Sequence, residues 1–222
     1  MERSDMKLVG GLWMPEHEHH MVEWMQSPKN KVLVDGKLTY QWKKQVLAMT
    51  FVQKWRVAVD VGAHCGFWSM HLAQRFRTVH AFEPIELHRA CWEANVTTKI
   101  NEAILHPCAL GEEDSTCAMF TTPHSSGGSY VQGKGSIPIK RLDGYDFQDV
   151  DFIKLDCEGF ELFALRGGQE TLKRCKPAII VEQKPGRAPK YGLAERDAIP
   201  YLQGLGAKLR REMGGDFFFT WD

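Results

Sequence analysis

The sequence predicts an α/β domain with a mostly parallel β-sheet, preceded by a short N-terminal extension. Short apolar runs alternate with longer amphipathic stretches from residue 57 onward, which is the pattern of successive β-α-β units. A glycine-containing turn follows the first apolar run, and acidic residues end or follow three of the others. We therefore expect an α/β domain over residues 51–222 and an extension or lid over residues 1–50.

The secondary structure can be predicted in chain order from these runs. Strands are expected where a short apolar run adjoins a turn residue: 57–61, 78–82, 104–108, 152–156 and 177–182. Helices are expected over the longer amphipathic stretches: 66–76, 85–97, 160–173 and 193–205. Two antiparallel hairpins complete the pattern: 117–121 with 136–140, and 208–212 with 217–221 around Gly214-Gly215.

Composition narrows the class of protein. Lys and Arg total 28 and Asp and Glu total 28, so the net charge is zero and the basic excess of a general nucleic-acid binder is missing. The first ten residues lack the apolar core of a signal peptide, and no apolar run reaches the roughly 18 residues of a membrane span. Six dispersed cysteines without a CxxC pair suit reduced thiols. We expect a cytoplasmic protein without a membrane partner.

A strand, a glycine turn and a helix start follow one another over residues 57–67, VAVDVGAHCGF. Gly62 and Gly66 lack a Cβ, so a ligand can approach the backbone there. Free N–H groups at a helix start favour a polar or negatively charged ligand group, and Asp60 could take a cationic amine. An ordinary tight turn between strand and helix is the alternative.

The second informative segment is VHAFEP, at residues 79–84, in which Glu83 follows the second strand. A carboxylate at this point can accept two hydroxyl hydrogen bonds from a ribose, whereas a solvated carboxylate at a helix start is the alternative. The spacing DxGxxxG differs from the dinucleotide pattern GxGxxG, because His64 stands at the second glycine and resists a closely packed pyrophosphate. Asp60 repels phosphates but suits an α-amino group, which favours S-adenosylmethionine.

Acidic residues also mark the ends of the fourth and fifth strands. The run VDFIKLDCEGFE, at residues 150–161, places Asp156 and Glu158 where open α/β sheets bind ligands, and Glu182 should face the same rim. These carboxylates could orient a nucleophile, accept its proton or hold a divalent cation. Purely structural roles are the alternatives: a helix cap for Glu158, turn hydrogen bonds for Asp156 and a surface acid for Glu182.

These three segments together resemble the FkbM-type S-adenosylmethionine-dependent methyltransferases. The resemblance is carried by DVGAHCGFWS, by AFEP and by IKLDCEG followed by ALRGGQETL, and it covers roughly residues 57–182. It implies the class I methyltransferase fold, a Rossmann-like three-layer sandwich whose seven-stranded sheet has an antiparallel last strand. It also implies O-methylation of a hydroxyl, often on a sugar or another small molecule.

The resemblance implies site residues as well. Cofactor contacts are expected in the first turn, at the ribose acid, at the adenine edge and at the fourth strand: Asp60, Gly62, Ala63, His64, Gly66, Phe67, Glu83, Pro84, Ala109 and Asp156. Asp156 is the candidate base from its strand-end position, with Glu158 or Glu182 assisting it. No metal site is predicted, although a divalent cation is compatible with these acids. His64 and Cys65 occupy variable positions of the family pattern, so their roles stay open.

The methyl acceptor is less well specified. Residues 183–211 hold seven Lys or Arg against two acids, which would suit an anionic acceptor, with a solvated face as the alternative. RNA ribose methyltransferases of other families use a Lys-Asp-Lys-Glu set. Asp156 fits that set, but Glu182 stands where its second lysine is expected. We therefore expect a small-molecule hydroxyl acceptor, with an RNA acceptor disfavoured.

The N-terminal 50 residues match no motif. His17, His19 and His20 alternate with acids in EHEHH; a metal site is conceivable, but the spacing does not put them on one helical face, so we expect a solvated segment. The Trp and Met residues of this region are expected to pack on the sheet, with a lid or dimer surface as the alternative.

The polar loop 121–135 could fold over the substrate, with His124, Ser129 or Tyr130 in reach, or stay at the surface. Two other functions remain open for the whole chain. One is a non-catalytic binding module with the same fold, and the other is a nicotinamide-dependent oxidoreductase, which DxGxxxG disfavours.

Overall fold

The structure is a computed structural model that describes residues 5–96, 102–122 and 124–221. The end of the predicted helix at Thr97 lies outside these ranges. The strands are β1 (Met6–Val9), β2 (Leu12–Pro15), β3 (Leu33–Val34), β4 (Lys37–Leu38), β5 (Val57–Val61), β6 (Thr78–Phe82), β7 (Glu102–His106), β8 (Ala109–Leu110), β9 (Ser115–Phe120), β10 (Tyr130–Lys140), β11 (Val150–Leu155), β12 (Ala178–Glu182), β13 (Lys208–Met213) and β14 (Asp216–Thr220). The helices are α1 (His20–Gln26), α2 (Trp42–Met49), α3 (Ser69–Leu72), α4 (Glu86–Asn95), α5 (Glu161–Arg166), α6 (Gln169–Cys175) and α7 (Ala198–Gly204).

Seven strands form the central sheet in the order β7-β6-β5-β11-β12-β14-β13. The five strands from β7 to β12 are parallel, and β14 is antiparallel to both of its neighbours, β12 and β13. This arrangement confirms the predicted class I methyltransferase fold with its antiparallel last strand.

Alternate residues of each central strand enter two separate apolar cores, because side chains alternate across a sheet. On β11, Ile153 and Leu155 pack with α5, α6 and α7 on one face, while Phe152 packs with α2, α3 and α4 on the other. Both faces are therefore covered by helices, which gives the three-layer sandwich and explains why the strands read as continuous apolar runs.

The helices are shorter than the sequence predicted. The predicted helix 66–76 is helical only over α3, with turns on either side, and the predicted helix 160–173 is divided into α5 and α6. The division falls at Gly167, where a Cβ would lie 1.9 Å from the carbonyl oxygen of Gly111. The Gly167-Gly168 pair is a local breaker signal within the predicted helix, and the close approach of Gly111 explains why residue 167 must be a glycine.

A second, three-stranded sheet flanks the first, in the order β8-β10-β9. The two predicted strands pair antiparallel, but within 117–121 only Cys117 lies opposite the predicted segment 136–140, at Ile137. Residues 118–120 lie opposite 130–132, because β10 begins at Tyr130 and is longer than expected. Much of the predicted loop 121–135 is therefore strand, and a 3-10 turn at Ser126–Gly128 precedes it.

The N-terminal segment, residues 5–50, packs on the α/β domain. Its apolar side chains share one buried cluster with the domain: Leu12, Met14, Met21, Met25, Leu38, Cys65, Phe67 and Cys91. Asn95 of α4 also holds Trp13, donating to its carbonyl oxygen at 2.7 Å and accepting from its N–H at 2.7 Å. The expectation that the N-terminal Trp and Met residues pack on the domain describes this region. The domain boundary at residue 50 stays a prediction.

Within the described ranges, no helix has the length and apolar character needed to cross a bilayer.

Candidate functional site

A cleft opens at the carboxyl ends of β5, β6 and β11, where open α/β sheets bind ligands. Most of the predicted site residues line it: Gly62, Ala63, His64, Phe67, Glu83, Pro84, Ala109, Asp156 and Glu158. Three predicted residues do not belong to its lining: Asp60, Gly66 and Glu182.

The glycine turn after β5 is shaped by protein contacts. Gly62 has φ +73°, and a Cβ there would lie 2.0 Å from the carbonyl oxygen of Asp156. Gly66 has φ +83°, and its Cβ would come within 2.8 Å of Val96 and Trp92 side-chain atoms. These glycines are thus required where β11 and α4 meet the turn, a reason that the sequence analysis did not give.

Asp60 is fully buried behind the turn and does not face the cleft. It accepts a hydrogen bond from Ser69 Oγ at 2.7 Å and lies 3.3 Å from Lys154 Nζ. The cationic amine beside Asp60 is therefore a lysine of the chain itself, so a direct contact between Asp60 and a cofactor amine finds no support in this geometry.

Lys154 is a cleft residue that the site prediction missed. Its Nζ donates to the Gly62 carbonyl at 3.0 Å and lies 3.8 Å from Asp156. Burial alone would lower the pKa of Lys154, but Asp60 and Asp156 hold that pKa above its ordinary value. The sequence did contain a signal for this site residue, since Lys154 is a charged residue in the otherwise apolar run FIKL.

Glu83 is 4% exposed, so the alternative of a solvated carboxylate is wrong. Its Oε1 accepts from Ile85 N–H at 2.9 Å and from His88 Nδ1 at 3.3 Å, and its Oε2 accepts from His64 N–H at 2.8 Å. A carboxylate offers about four lone-pair positions, so Oε2 can still accept one hydrogen bond from a ligand in the cleft.

Three carboxylates meet where β11 and β12 end. Oxygens of Asp156, Glu158 and Glu182 all lie within 4.8 Å of one another. Burial, with Asp156 nearby, raises the pKa of Glu158 to about 7 and that of Glu182 to about 9. Burial also acts to raise the pKa of Asp156, but Lys154 and Lys184 outweigh it and leave that pKa lowered. Asp156 is therefore the carboxylate that stays ionised across the neutral range.

The same carboxylates are close enough together to hold one divalent cation. However, Lys184 Nζ lies 2.6 Å from Glu182, and Arg187 Nε lies 2.8 Å from Glu158. A divalent cation would therefore have to compete with Lys184 and Arg187 for the oxygens of Glu182 and Glu158.

The sequence match to a known family agrees with the set of residues that line the cleft. The family model described as the methyltransferase FkbM domain matches residues 60–209. The chain belongs to this family.

Two relatives show how far the likeness extends. Methyltransferase 1 from Beauveria bassiana (strain ARSEF 2860) is 24% identical over 141 residues, which cover 49% of this chain and 57% of that protein. The crystal structure of methyltransferase FkbM from Methylobacillus flagellatus KT matches with a TM-score of 0.54 at 20% identity, covering 75% of this chain and 44% of that one. The chain thus spans about half the length of these relatives, and the structural match establishes the shared fold.

The FkbM family match begins at residue 60, yet the N-terminal segment forms part of the cleft wall. Met21 and Tyr40 line the cleft. Burial and then the nearby Asp156 and Glu182 raise the pKa of Tyr40 well above its ordinary value, so its hydroxyl stays protonated. Lys44, one helical turn further on, forms an ion pair with Asp216. No motif marked these residues, and sequence reasoning missed them.

The expectation for EHEHH is wrong at one residue. His19 and His20 are exposed, as expected for a solvated segment, but Glu18 is fully buried. Its Oε1 accepts from Met21 N–H at 2.7 Å, and its Oε2 accepts from the N–H and the hydroxyl of Ser126 at 2.5 and 2.6 Å. Glu18 therefore fastens the 3-10 turn of the predicted loop to the N-terminal segment.

The 3-10 turn at Ser126–Gly128 forms part of the cleft wall in this FkbM-family chain. Ser126, Gly127 and Ser129 line the cleft, whereas His124 and Tyr130 do not. Tyr130 instead lies under Lys190, with Nζ 3.8 Å from the ring centroid. Of the three residues proposed to be in reach of substrate, only Ser129 lies in the lining.

Proposed function

We propose that the protein is an S-adenosylmethionine-dependent O-methyltransferase that acts on a hydroxyl of a sugar or another small molecule. One observation carries the proposal: Glu83 and the ionised Asp156 line the same cleft from the strands on either side of β5. This arrangement supports a role for Glu83 as the ribose acid and for Asp156 as the base for the acceptor, on either side of one nucleoside site.

The cofactor, when bound, supplies a methyl group already activated on a sulfonium. Glu83 would accept a ribose hydroxyl through its Oε2, and Ala109 with the neighbouring Leu110 would cover the adenine. Asp156 would orient the acceptor hydroxyl and take its proton as the hydroxyl oxygen bonds to the methyl carbon and the carbon–sulfur bond breaks. S-Adenosylhomocysteine and the methyl ether are the products.

A neutral acceptor suits the charges at this end of the cleft. The basic residues expected to favour an anion are occupied: Lys184 pairs with Glu182, Arg187 pairs with Glu158 and Lys190 lies on Tyr130. A polyol can hydrogen-bond to the carboxylates without competing for these cations.

One observation favours a second candidate, a ribose hydroxyl of RNA. Lys154, Lys184 and Lys44 all act to lower the pKa of Asp156, and Glu182 and Asp216 lie beside Lys184 and Lys44. Such a group approaches the Lys-Asp-Lys-Glu set more closely than the sequence alone predicted. The zero net charge of the chain weighs against this candidate.

Isothermal titration with S-adenosylmethionine and S-adenosylhomocysteine, with NAD as a comparator, tests the cofactor. We expect micromolar binding of the first two and a loss of about tenfold or more in Glu83→Ala, because a hydrogen bond to a charged group is removed. Glu86→Ala is the control, since Glu86 is an exposed acid three residues away. Binding of NAD alone would move the assignment to an oxidoreductase, and no binding by the folded protein would overturn the nucleoside site.

Transfer of a radiolabelled methyl group to neutral sugars, phosphorylated sugars and RNA oligonucleotides tests the acceptor. We expect transfer to a neutral sugar, and a fall in turnover of about 100-fold or more in Asp156→Asn with cofactor affinity retained. Full turnover in Asp156→Asn would remove the base role. Cofactor binding without transfer to any acceptor would favour the non-catalytic module.

A further inference from the structure

A buried chain of hydrogen bonds joins the N-terminal segment to the cofactor side of the cleft. It runs from Glu18 to the Ser126 hydroxyl at 2.6 Å, and from the Ser126 oxygen to His64 Nε2 at 2.8 Å. Glu18 is 0% exposed and Ser126 is 1% exposed. The three residues are far apart in the sequence, and two of them, His64 and Ser126, line the cleft.

The directions of these hydrogen bonds follow from the donors available. A carboxylate only accepts, so the single hydroxyl proton of Ser126 is donated to Glu18. The Ser126 oxygen can then only accept from His64, which places a proton on Nε2. Cys65 Sγ, 3.8 Å from Nε2, is a weak second contact.

The remaining ring nitrogen is consequently a lone-pair acceptor. Burial, together with His88, lowers the pKa of His64 well below its ordinary value, so the ring is neutral and Nδ1 carries no proton. Among the described residues, this buried Nδ1 atom has no hydrogen-bond partner. An unsatisfied buried acceptor costs about 1–3 kcal/mol, and a donor on a bound ligand would remove that cost.

The surroundings of His64 indicate which ligand would provide the donor. The His64 backbone N–H binds Glu83 at 2.8 Å, and the His64 and His88 rings are 4.3 Å apart. The imidazole therefore stands beside the acid proposed to hold the ribose. Hydroxyl groups of the ribose and the ammonium of the methionine part are the hydrogen-bond donors that a cofactor would bring to this wall.

We propose that Glu18 and Ser126 are positioning residues that hold His64 as the Nε2–H tautomer, so that Nδ1 accepts a hydrogen bond from a hydroxyl or ammonium donor of the nucleoside cofactor. This inference depends on the proposed use of S-adenosylmethionine. It gives the N-terminal segment, which lies outside the family match, a part in cofactor binding.

Long-range proton–nitrogen spectra of protein labelled with ¹⁵N-histidine test the tautomer directly. His64→Asn assigns the signal, because Asn tolerates the positive φ of this position. We expect His64 to show the Nε2–H pattern, and its Nδ1 resonance to move when S-adenosylhomocysteine is added. In Ser126→Ala we expect a mixture of tautomers, since Nε2 loses its acceptor.

Calorimetry on the same variants measures the effect on binding. We expect Ser126→Ala to weaken S-adenosylhomocysteine binding about tenfold, and Ser126→Thr, which keeps the hydroxyl, to restore it. Thr122→Val is the matched control, because the Thr122 hydroxyl donates to the Ser125 carbonyl beside the same turn and Thr122 is not part of the cleft lining. Repeating the titration with 5′-methylthioadenosine, which lacks the amino acid part, separates the donors: an equal loss indicates a ribose hydroxyl, and a loss confined to S-adenosylhomocysteine indicates the ammonium.

Two results distinguish this inference from the proposed function. If the folded protein binds neither S-adenosylmethionine nor S-adenosylhomocysteine, the proposed function fails. If it binds both, but the Nδ1 resonance does not move and Ser126→Ala binds like the wild type, the positioning role is wrong and the proposed function stands.

Discussion

Three neighbouring carboxylates differ in protonation because their surroundings differ. Asp156 lies between Lys154 and Lys184 and has a lowered pKa, whereas Glu182 is 2% exposed and has a pKa raised to about 9. Strand-end position alone made Asp156 the candidate base, with Glu158 or Glu182 assisting it. The packing around the three acids supports that choice, because of these three only Asp156 both lines the cleft and has a lowered pKa.

The raised pKa of Glu182 predicts how stability depends on pH. In the unfolded chain a glutamate titrates near 4.3, so between pH 7 and 9 the folded protein holds a proton that the unfolded chain has released. The free energy of unfolding should therefore fall as pH rises through this window, by up to about 1.4 kcal/mol per pH unit from this group. Urea unfolding at pH 7, 8 and 9 measures the slope.

Glu182→Gln tests the assignment of that slope to Glu182. Glutamine resembles the protonated acid and cannot ionise, so the variant should lose less stability between pH 7 and 9 than the wild type. Glu113→Gln, at an exposed position, should keep the wild-type slope. An unchanged slope in Glu182→Gln would show that Glu182 is already ionised at pH 7, paired with Lys184.

Among the elements, strands were predicted well and helices poorly. Strands β5 and β6 were predicted to the residue, since burial on both faces makes them mostly apolar. Helix lengths were overestimated because turns flank α3, and because the Gly167-Gly168 pair that interrupts the predicted helix 160–173 was not taken as a break. Glu83 and Asp156 were also identified as cleft residues, because each directly follows such an apolar strand. Tyr40 and Ser126 were missed because only the folded chain brings them to the cleft, whereas Lys154 was missed although its charge stands out in an apolar run.

The glycine turn after β5 is the element most sensitive to substitution. In Gly62→Ala the new Cβ would meet the Asp156 carbonyl at 2.0 Å, and that backbone cannot move without disturbing β11. We expect a loss of about 3 kcal/mol or more in the free energy of unfolding.

Gly36→Ala separates the two contributions to that loss. Gly36 has a similar φ of +76°, but nothing lies within 4 Å of a Cβ placed there. It should lose only about 1 kcal/mol, the cost of the left-handed backbone. Equal losses in urea unfolding would mean that the contact with β11 relaxes and the backbone cost dominates.

At the scale of the whole molecule, the N-terminal segment is joined to the α/β domain by apolar packing and by a few buried polar contacts. Glu18 accepts a hydrogen bond from Ser126 in the 3-10 turn, and Lys44 forms an ion pair with Asp216 of β14. Asn95 of α4 is hydrogen-bonded to the backbone of β2. Because the segment matches no family motif, its place in the fold could not be predicted from the sequence. Two of its partners, Cys65 and Phe67, belong to the glycine-turn motif, whereas Ser126 and Asn95 belong to no motif.

Asn95→Ala should loosen the N-terminal segment. The variant loses hydrogen bonds to both backbone groups of Trp13 and to the Cys65 carbonyl, the last at 2.8 Å. We expect a loss of about 2–4 kcal/mol in stability and faster proteolysis within residues 5–50.

Limited proteolysis with mass mapping locates the first cuts. Asn30→Ala is the control, because Asn30 is partly exposed and its backbone N–H donates to the Ser27 carbonyl, a hydrogen bond that the substitution keeps. First cuts in Asn95→Ala that fall in the α/β domain would contradict the anchoring role of Asn95.

The position of β14 has a consequence for synthesis on the ribosome. Strand β13 is made before β14, yet β14 lies between β13 and β12 in the finished sheet. Until residues 216–220 emerge, β12 keeps an open edge and β13 has no partner in the sheet. An unpaired edge of this kind favours wrong pairing between nascent chains. Correct pairing of β12 and β13 therefore depends on how soon β14 is made.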